Sequence, residues 1–277
     1  MLKRDNIKKN FVQIIAIAVK EVKLVARFKF GIFLNLGAPL LSIFIPYIIF
    51  GALFRYSGTI DLDYYNQNNY ILFLFIAYAL TYLLTIFNVY SSSFKQEKYW
   101  KTLKGLIIAP FNRYNMLMGL LVANLILKSV PTIVILTICY ILFPIPPFTF
   151  FLFLVVLLCI GIIFSGIGIV VGVFTITNES IAKLMEVGLD FLLYLSCVFY
   201  PLKMFPRILH PIFYLNPLYY VFDLLRLIWL SGINFYEALS FITPIHFISL
   251  VASVILIPFI GTYLFNKIYN KYGIKGY

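Results

Sequence analysis

The chain has 277 residues, of which 62% are hydrophobic and 12% are charged, and its formal net charge is +12. A soluble domain usually carries about a quarter charged residues, so this composition excludes an ordinary water-soluble protein and indicates a chain that resides in the lipid bilayer. The positive charge indicates basic membrane loops rather than a nucleic-acid partner, because no soluble segment is large enough to fold into a reading surface.

Residues 1–30 are predicted to form an amphipathic helix that lies in the membrane interface. Apolar residues recur there at steps of three and four, which is the spacing of one helix face. A signal peptide is disfavoured because charged residues interrupt the apolar run. The predicted apolar stripe consists of Phe11, Ile15, Ala18, Val22 and Val25.

Six long apolar segments follow, and each is long enough to cross the bilayer, for which about 20 residues suffice. The segments do not alternate in polarity, so they predict helices rather than the strands of a barrel. The sequence therefore predicts an all-α membrane protein with a single transmembrane domain over residues 1–277. The predicted spans are 31–54, 70–94, 114–142, 148–177, 184–204 and 241–266.

The distribution of lysine and arginine predicts the orientation of these spans. Eight lie in the N-terminal arm, five in 95–113, one in 178–183 and three in the C-terminal tail, which places 17 of the 22 on one side. Basic loops favour the cytoplasm. Both termini are therefore predicted to be cytoplasmic, in a multi-pass protein of the plasma membrane.

Residues 205–230 are apolar enough to suggest a seventh span, but prolines interrupt the run every five or six residues. Proline removes a backbone donor and breaks a helix interior. A seventh span would also place the basic tail outside. We therefore expect a re-entrant pair of short helices that enters from the outer side, which is allowed where protein buries the irregular backbone.

The loop 97–113 combines charges with an apolar helix face formed by Tyr99, Leu103, Leu106 and Ile107. It is either an ordinary basic loop with one amphipathic turn or a short helix that docks into a partner protein. Pro110 is expected to end such a helix.

Three charged residues fall inside predicted spans, namely Lys128, Glu186 and Asp190. Each buried charge costs about 2.5–3.5 kcal/mol on insertion scales, so a reason for it is expected. The three residues either line a substrate path or serve helix packing and snorkelling. The depths of Lys128 and Asp190, about 21 Å and 9 Å from the inner side, disfavour a direct pair. Local i,i+4 and i,i+3 pairs among Glu179, Lys183 and Glu186 are expected instead at the cytoplasmic end.

Small residues in the fourth predicted span, including Gly168 and Gly172, predict close helix packing. The proline-rich stretch 201–217 is interpreted either as an outer gate or as a stiff loop. The residues of the possible gate are Pro201, Pro206, Asn216 and Pro217.

No catalytic or metal-binding residues are predicted. The cysteines at 139, 159 and 197 lie in apolar stretches and are interpreted as buried apolar side chains. His210 and His246 stand far apart in the sequence, and neither has a carboxylate at metal-ligand spacing.

The chain resembles the permeases of the ABC type-2 transporter family, and the resemblance rests on two stretches. The first contains Glu97, Lys98, Thr102-Leu103, Leu106, Ala109-Pro110, Arg113 and Gly119, and is similar to the coupling-helix region of these permeases. The second runs from Tyr200-Pro201 through Phe205-Pro206 and Asn216-Pro217-Leu218 to Asp223 and Arg226, and resembles the proline-rich segment before the last span. The family's usual glycine before Thr-Leu is Lys101 here, and its acidic neighbours are Tyr99 and Lys104.

The resemblance implies a half-transporter in which two copies of the permease pair and each recruits a separate ATP-hydrolysing subunit. No Gly-x-x-x-x-Gly-Lys-Ser/Thr loop is present, so ATP and magnesium are expected in that subunit rather than in this chain. The residues expected to contact the ATPase are Glu97, Tyr99, Thr102, Leu103, Leu106, Pro110 and Arg113.

The expected function is export of a drug, lipid or lipo-oligosaccharide-like amphiphile, with membrane lipids and no nucleic acid as partners. Export of a lipid-linked polysaccharide is the alternative within the family. Outside it, an ion-coupled carrier would show internal repeats and a membrane-embedded lipid enzyme would show clustered carboxylates or histidines. Neither signal is present in the sequence.

Overall fold

The computed structural model describes residues 2–27, 37, 41–52, 70–100, 113–233 and 242–272, and these residues form helices and turns without a β-strand. In chain order the α-helices are α1 (Leu2–Ala26), α2 (Leu41–Ala52), α3 (Tyr70–Leu84), α4 (Ile86–Tyr99), α5 (Arg113–Leu142), α6 (Pro147–Thr177), α7 (Glu179–Tyr194), α8 (His210–Tyr214), α9 (Pro217–Ile233) and α10 (Pro244–Tyr272). Two 3₁₀-helices, Leu202–Met204 and Arg207–Leu209, precede α8.

Four helical segments within the described ranges are long and apolar enough to cross a membrane: Tyr70–Gln96, Tyr114–Leu142, Pro147–Thr175 and Pro244–Ile268. They correspond to the second, third, fourth and sixth predicted spans. The all-helical architecture and these four segments agree with the prediction, whereas the total of six spans stays a prediction. We refer to the end of the bundle with Tyr99, Arg113 and Asn178 as the inner end, and to the opposite end as the outer end.

The first and fifth predicted spans differ from these four. In the first, only α2 and residue 37 fall within the described part of the chain, and 12 residues of α2 are too short to span by themselves. In the fifth, the helix begins at Glu179 and ends at Tyr194 rather than at 204. The predicted loop 178–183 is reduced to Asn178, whose side chain caps α7 by accepting from the N–H groups of Ser180 and Ile181.

The helix α6 lies at the centre of the described bundle. It contains no charged residue and packs against α3, α4, α5, α7, α9 and α10. A helix that is apolar on all sides belongs in a core, where every face finds an apolar neighbour. The helices that carry the candidate sites are therefore positioned by their packing against α6.

Glycines permit the close approach of α6 to its neighbours, as the sequence predicts. A Cβ on Gly168 would lie 2.6 Å from Tyr90 Cδ2 and 2.9 Å from Phe87 Cα, and a Cβ on Gly172 would lie 2.7 Å from the Phe94 ring. On another face of α6, a Cβ on Gly166 would lie 2.7 Å from the backbone nitrogen of Pro258 in α10. These glycines let the backbones of α4 and α10 pack directly on α6.

The helix α9 runs antiparallel to the outer half of α6. Near the C-terminal end of α9, Trp229 makes edge contacts with Phe150 and Phe153 at the start of α6. Seven residues earlier, Phe222 stacks on Phe164, which lies deeper in α6. Residues 221–230 are all buried, so α9 packs inside the bundle. The re-entrant path of 205–230 through a membrane stays a prediction.

The prolines of this segment begin helices as well as limit them. Pro201 and Pro206 precede the two 3₁₀-helices, Pro211 lies in the first turn of α8, and Pro217 is the first residue of α9. Proline suits these positions because the first N–H groups of a helix have no intrahelical partner and its fixed φ angle is already helical. The result is a series of short helices separated by at most two residues.

Candidate functional site

The inner end carries a polar cluster that joins α4, α6 and α7. Ser91 Oγ donates to Glu186 Oε1 at 2.6 Å and lies 2.9 Å from Thr175 Oγ1. Lys95 Nζ lies 3.4 Å from the same Glu186 oxygen. We call Ser91, Lys95, Thr175 and Glu186 the inner polar cluster.

The inner polar cluster fixes α7 to the helix that leads into the predicted coupling segment. Ser91 and Lys95 are one turn apart on α4, so one face of α4 holds the carboxylate of α7. Glu186 thus pairs across helices instead of with Lys183 of its own helix. Because the Lys95 side chain is 41% exposed and that of Glu186 is 22% exposed, the ion pair adds little stability, and its main effect is to fix the geometry.

A second contact at the inner end joins α1 to α5. Asn115, in the first turn of α5, is buried, and its Nδ2 donates to Asn10 Oδ1 at 2.9 Å and to Gln13 Oε1 at 2.6 Å. One turn further along α5, a Cβ on Gly119 would lie 2.7 Å from Ile17 Cβ and 2.9 Å from the Ile14 carbonyl oxygen. The N-terminal helix is therefore packed directly on the helix that leaves the coupling segment.

This docking uses a face of α1 beside the predicted apolar stripe. Within the stripe, Ala18 is buried and Val22 is half-buried, whereas Phe11, Ile15 and Val25 are exposed. One side of α1 therefore binds α5, and Phe11, Ile15 and Val25 stay uncovered by the described residues of the chain. An uncovered apolar stripe is what an interfacial helix presents to lipid.

The predicted coupling residues lie between these two contacts. Tyr99 ends α4 with 86% of its surface exposed, and Trp100 beside it is also exposed. Glu97 and Arg113 belong by backbone to the end of α4 and the start of α5. Their side chains lie outside the described part, together with Thr102, Leu103, Leu106 and Pro110.

The three intramembrane charges do not form one site. Glu186 belongs to the inner polar cluster, and Asp190 is exposed on α7. Lys128 is half-buried on α5, and no ion pair or hydrogen bond of its ammonium is found in the described ranges. One turn before it, Asn124 is 2% exposed, and its Nδ2 has no hydrogen-bond partner among those residues. A buried donor without a partner costs about 1–3 kcal/mol, which marks this position as exceptional.

The exposed face of α7 combines Asp190 with large apolar side chains. Val187, Phe191 and Tyr194 are each about 60% exposed, and a Cβ on Gly188 would meet nothing within 4 Å. Asp190 lies 11 residues after the start of α7, or about 16 Å along its axis. A carboxylate at this depth is costly against lipid, so this face is unsuited to a purely lipid environment.

At the other end, Asn216 connects the end of α7 to the start of α9. Its Nδ2 donates to the Leu192 carbonyl at 3.1 Å and to Ser196 Oγ at 2.7 Å, while its Oδ1 accepts from the Leu218 N–H at 3.1 Å. The last carbonyls of a helix need partners outside the helix, and Asn216 supplies one. Of the predicted gate residues, Asn216 therefore has a defined bridging role in the structure.

Arg226 completes this outer junction from the middle of α9. It is 2% exposed, and its Nη2 donates to the carbonyls of Cys197 and Val198 at 2.9 Å and 2.5 Å. Its guanidinium also lies 4.3 Å from the centre of the Phe73 ring. Cys197 adopts a φ of 54°, a region that few residues other than glycine occupy, and Arg226 holds the carbonyl of that residue.

A further pair joins α9 to α10. His246 Nε2 lies 3.3 Å from Asp223 Oδ2, and both residues are buried. On the other side of the ring, His246 Nδ1 lies 3.1 Å from the Thr243 backbone nitrogen and 2.8 Å from its Oγ1, so the start of α10 orients the imidazole toward Asp223. Sequence patterns do not reveal this pair, because the two residues are 23 positions apart. The available signal was that each is a polar residue within an apolar run.

A helical bundle with four membrane-crossing segments defines the chain as an integral membrane protein. The chain belongs to the ABC-2 type transporter family, whose sequence model matches residues 12–230. This range extends from α1 through most of α9 and includes the inner polar cluster, Asn216 and Arg226. The resemblance inferred from the motifs is thereby confirmed. No curated protein gives a significant match to the chain.

Proposed function

We propose that the chain is the permease subunit of an ABC exporter, which moves an amphipathic substrate outward with energy from a separate ATPase subunit. Family membership supports a transporter permease. The observation that carries the rest of the proposal is the geometry of the inner end, where both helices that flank residues 101–112 are fixed to other elements.

The proposed coupling mechanism follows from these connections. A push on the coupling segment from an ATPase that closes on ATP moves α4 and α5 together. The Ser91 and Lys95 contacts with Glu186 transmit the movement of α4 to α7, and the Asn115 contacts transmit that of α5 to α1. Rigid helices that shift between two packings are a common form of switching.

The proposed assembly contains two permease copies and two ATPase subunits, which bind ATP and magnesium. The uncovered face of α7 supports pairing of the permeases, because a second copy would cover Val187, Phe191 and Tyr194 and place Asp190 against protein or a water-filled path. Both termini and the coupling segment are proposed to face the cytoplasm. The Asn216 junction is proposed to act as the outer gate with Pro201, Pro206 and Pro217.

Co-purification from the native cells tests this proposal. The tagged chain, extracted under mild conditions, is expected to retain an ABC ATPase in a complex of two plus two by native mass spectrometry. Tyr99→Ala should weaken that association, because it removes an exposed aromatic side chain beside the coupling segment.

Ile208→Ala is the matched control for Tyr99→Ala. Ile208 is 84% exposed, nearly the same as Tyr99, but lies in the segment at the opposite end. Equal loss of the ATPase in both variants would contradict a coupling role for Tyr99. A chain that retains no ATPase under conditions that preserve other ABC exporters would contradict the proposed function itself.

A further inference from the structure

Lys128 lies in the middle of the packed face of α5. Asn124 and Thr132, one turn before and after it, are both buried, whereas Ile126 and Ile133 on the opposite side are exposed. Residues four apart lie one above the other on a helix. The lysine therefore points toward the neighbouring helices of the bundle and away from the lipid-facing side.

The position of Lys128 along α5 prevents its ammonium from reaching either membrane surface. It follows Arg113 by 15 residues and precedes Leu142 by 14, which corresponds to about 22 Å and 21 Å along the axis. A four-carbon stem covers only a fraction of that distance. Snorkelling, the usual solution for an intramembrane lysine near a helix end, is therefore excluded here.

The carboxylates whose side chains the structure describes do not neutralise Lys128. Glu21 pairs with Lys20, Glu186 with Lys95, and Asp223 with His246. Asp190 is exposed on α7 and forms no ion pair with Lys128. Within the described ranges, the mid-depth cation thus lacks the negative partner that intramembrane charges normally have.

Asn124 adds a second unsatisfied donor one turn away. Its Nδ2 has no partner in the described part of the chain and has almost no surface open to solvent. The neighbouring hydroxyl of Thr132 already donates to the Lys128 carbonyl at 2.8 Å. The position therefore offers an ammonium and an amide N–H₂ and lacks an acceptor with negative charge.

We propose that Lys128 and Asn124 form an intramembrane site for the phosphate group of an anionic amphiphile. A phosphate supplies both the charge for Lys128 and the acceptor oxygens for Asn124. The inference rests on the proposed function, since it assigns a substrate class to the same transport path. Because Asn124 Nδ2 is covered in this packing, the site is closed here. A ligand that binds the Lys128 ammonium and Asn124 Nδ2 therefore stabilises a different packing, in which α5 has moved away from its neighbours.

Thermal unfolding of the purified full chain in a neutral detergent tests the site. A maleimide dye that reports exposure of the cysteines is suitable, because Cys139 and Cys197 are buried in the folded protein. The probes are short-chain phosphatidylglycerol, short-chain phosphatidylcholine and inorganic phosphate. Phosphatidylglycerol, whose phosphate has no cation beside it, is expected to raise the Tm of the unchanged protein by several degrees more than phosphatidylcholine, whose phosphate is already neutralised by its own choline cation.

Variants locate the effect. Lys128→Met and Asn124→Leu should remove most of the difference between the two lipids, and Lys128→Arg should preserve it. Lys183→Met is the matched control, because Lys183 is exposed on α7 and reports binding of anionic lipid to the surface. Equal losses in Lys128→Met and Lys183→Met would overturn the proposal.

Two outcomes do not depend on whether the variants fold. An unchanged protein with the same Tm in both lipids overturns the site. A shift with phosphatidylglycerol but not with inorganic phosphate identifies a lipid headgroup as the ligand, and a shift with both identifies the phosphate group itself. Co-purification of the ATPase does not depend on Lys128, so it tests the proposed function separately.

Discussion

Arg226 illustrates how one buried side chain can satisfy a break in secondary structure. The helix α7 ends at Tyr194, and a turn follows in which Cys197 has a φ of 54°. The carbonyls of Cys197 and Val198 would be buried without partners if the guanidinium of Arg226 were absent. A long cation on α9 therefore holds the turn that follows α7.

Arg226→Met is expected to destabilise the protein by about 1–3 kcal/mol for each carbonyl of the turn that loses its donor, because the position stays buried. The Tm measured by the cysteine-reactive dye should fall clearly, since Cys197 lies in the turn itself. Arg207→Met is the control, because Arg207 is exposed in the same proline-rich segment. A Tm of Arg226→Met equal to that of Arg207→Met would contradict the anchoring role.

The two helices α4 and α6 pack closely because α6 has glycine where they touch. Phe87, Tyr90 and Phe94 of α4 lie against Gly168 and Gly172 of α6. The same face of α4 continues to Ser91 and Lys95 at its inner end. Close packing thus positions the inner polar cluster and keeps α4 and α6 together as a rigid pair.

Gly168→Ala is expected to cost about 1–3 kcal/mol, because the new methyl group would lie 2.9 Å from the Phe87 Cα, which is backbone and cannot rotate away. Gly188→Ala provides a matched control within α7, since nothing lies within 4 Å of its added Cβ. That change should be neutral or stabilise the protein by about 0.5–1 kcal/mol, because alanine favours a helix more than glycine does. Similar Tm values for the two variants would show that the α4–α6 contact is looser than described.

Sequence patterns predicted the long helices because their signal is local. Charge-free runs, small residues at four-residue spacing and prolines are all visible within a single segment, and they correctly indicated α6, its glycine contacts and the interrupted stretch before α9. The polar contacts between segments gave no such signal. Ser91 and Glu186 are 95 residues apart, and Asn10 and Asn115 are 105 apart, so only the tertiary arrangement shows that they meet.

The length of α7 also could not be predicted from the local sequence pattern. Residues 195–204 are as apolar as the helix before them. The donors that satisfy this region come from elsewhere: Asn216 donates to the Leu192 carbonyl in the last turn of α7, and Arg226 donates to the Cys197 carbonyl in the turn that follows. Such donors lie 20 or more residues downstream. The fifth predicted span was therefore too long at its C-terminal end, even though Pro201 was visible in the sequence.

At the scale of the whole molecule, two uncovered helix faces suggest different surroundings. The exposed face of α10 carries Ile248, Val251, Ile255 and Phe259, which are apolar and suit contact with lipid. The exposed face of α7 carries Asp190 among its apolar residues. The difference in charge is the reason for placing the second permease copy at α7 rather than at α10.

Cysteine cross-linking in native membranes tests this assignment. Val187→Cys on α7 is expected to give a covalent dimer with a short bifunctional maleimide, because the same surface patch of both copies meets at a twofold interface. Ile255→Cys on α10 is the matched control, since Val187 and Ile255 are each 62% exposed. The unchanged protein, whose three cysteines are buried or half-buried, sets the background. Dimers from Ile255→Cys alone would move the interface to α10, and dimers from neither variant would leave both faces to lipid and contradict the proposed pairing.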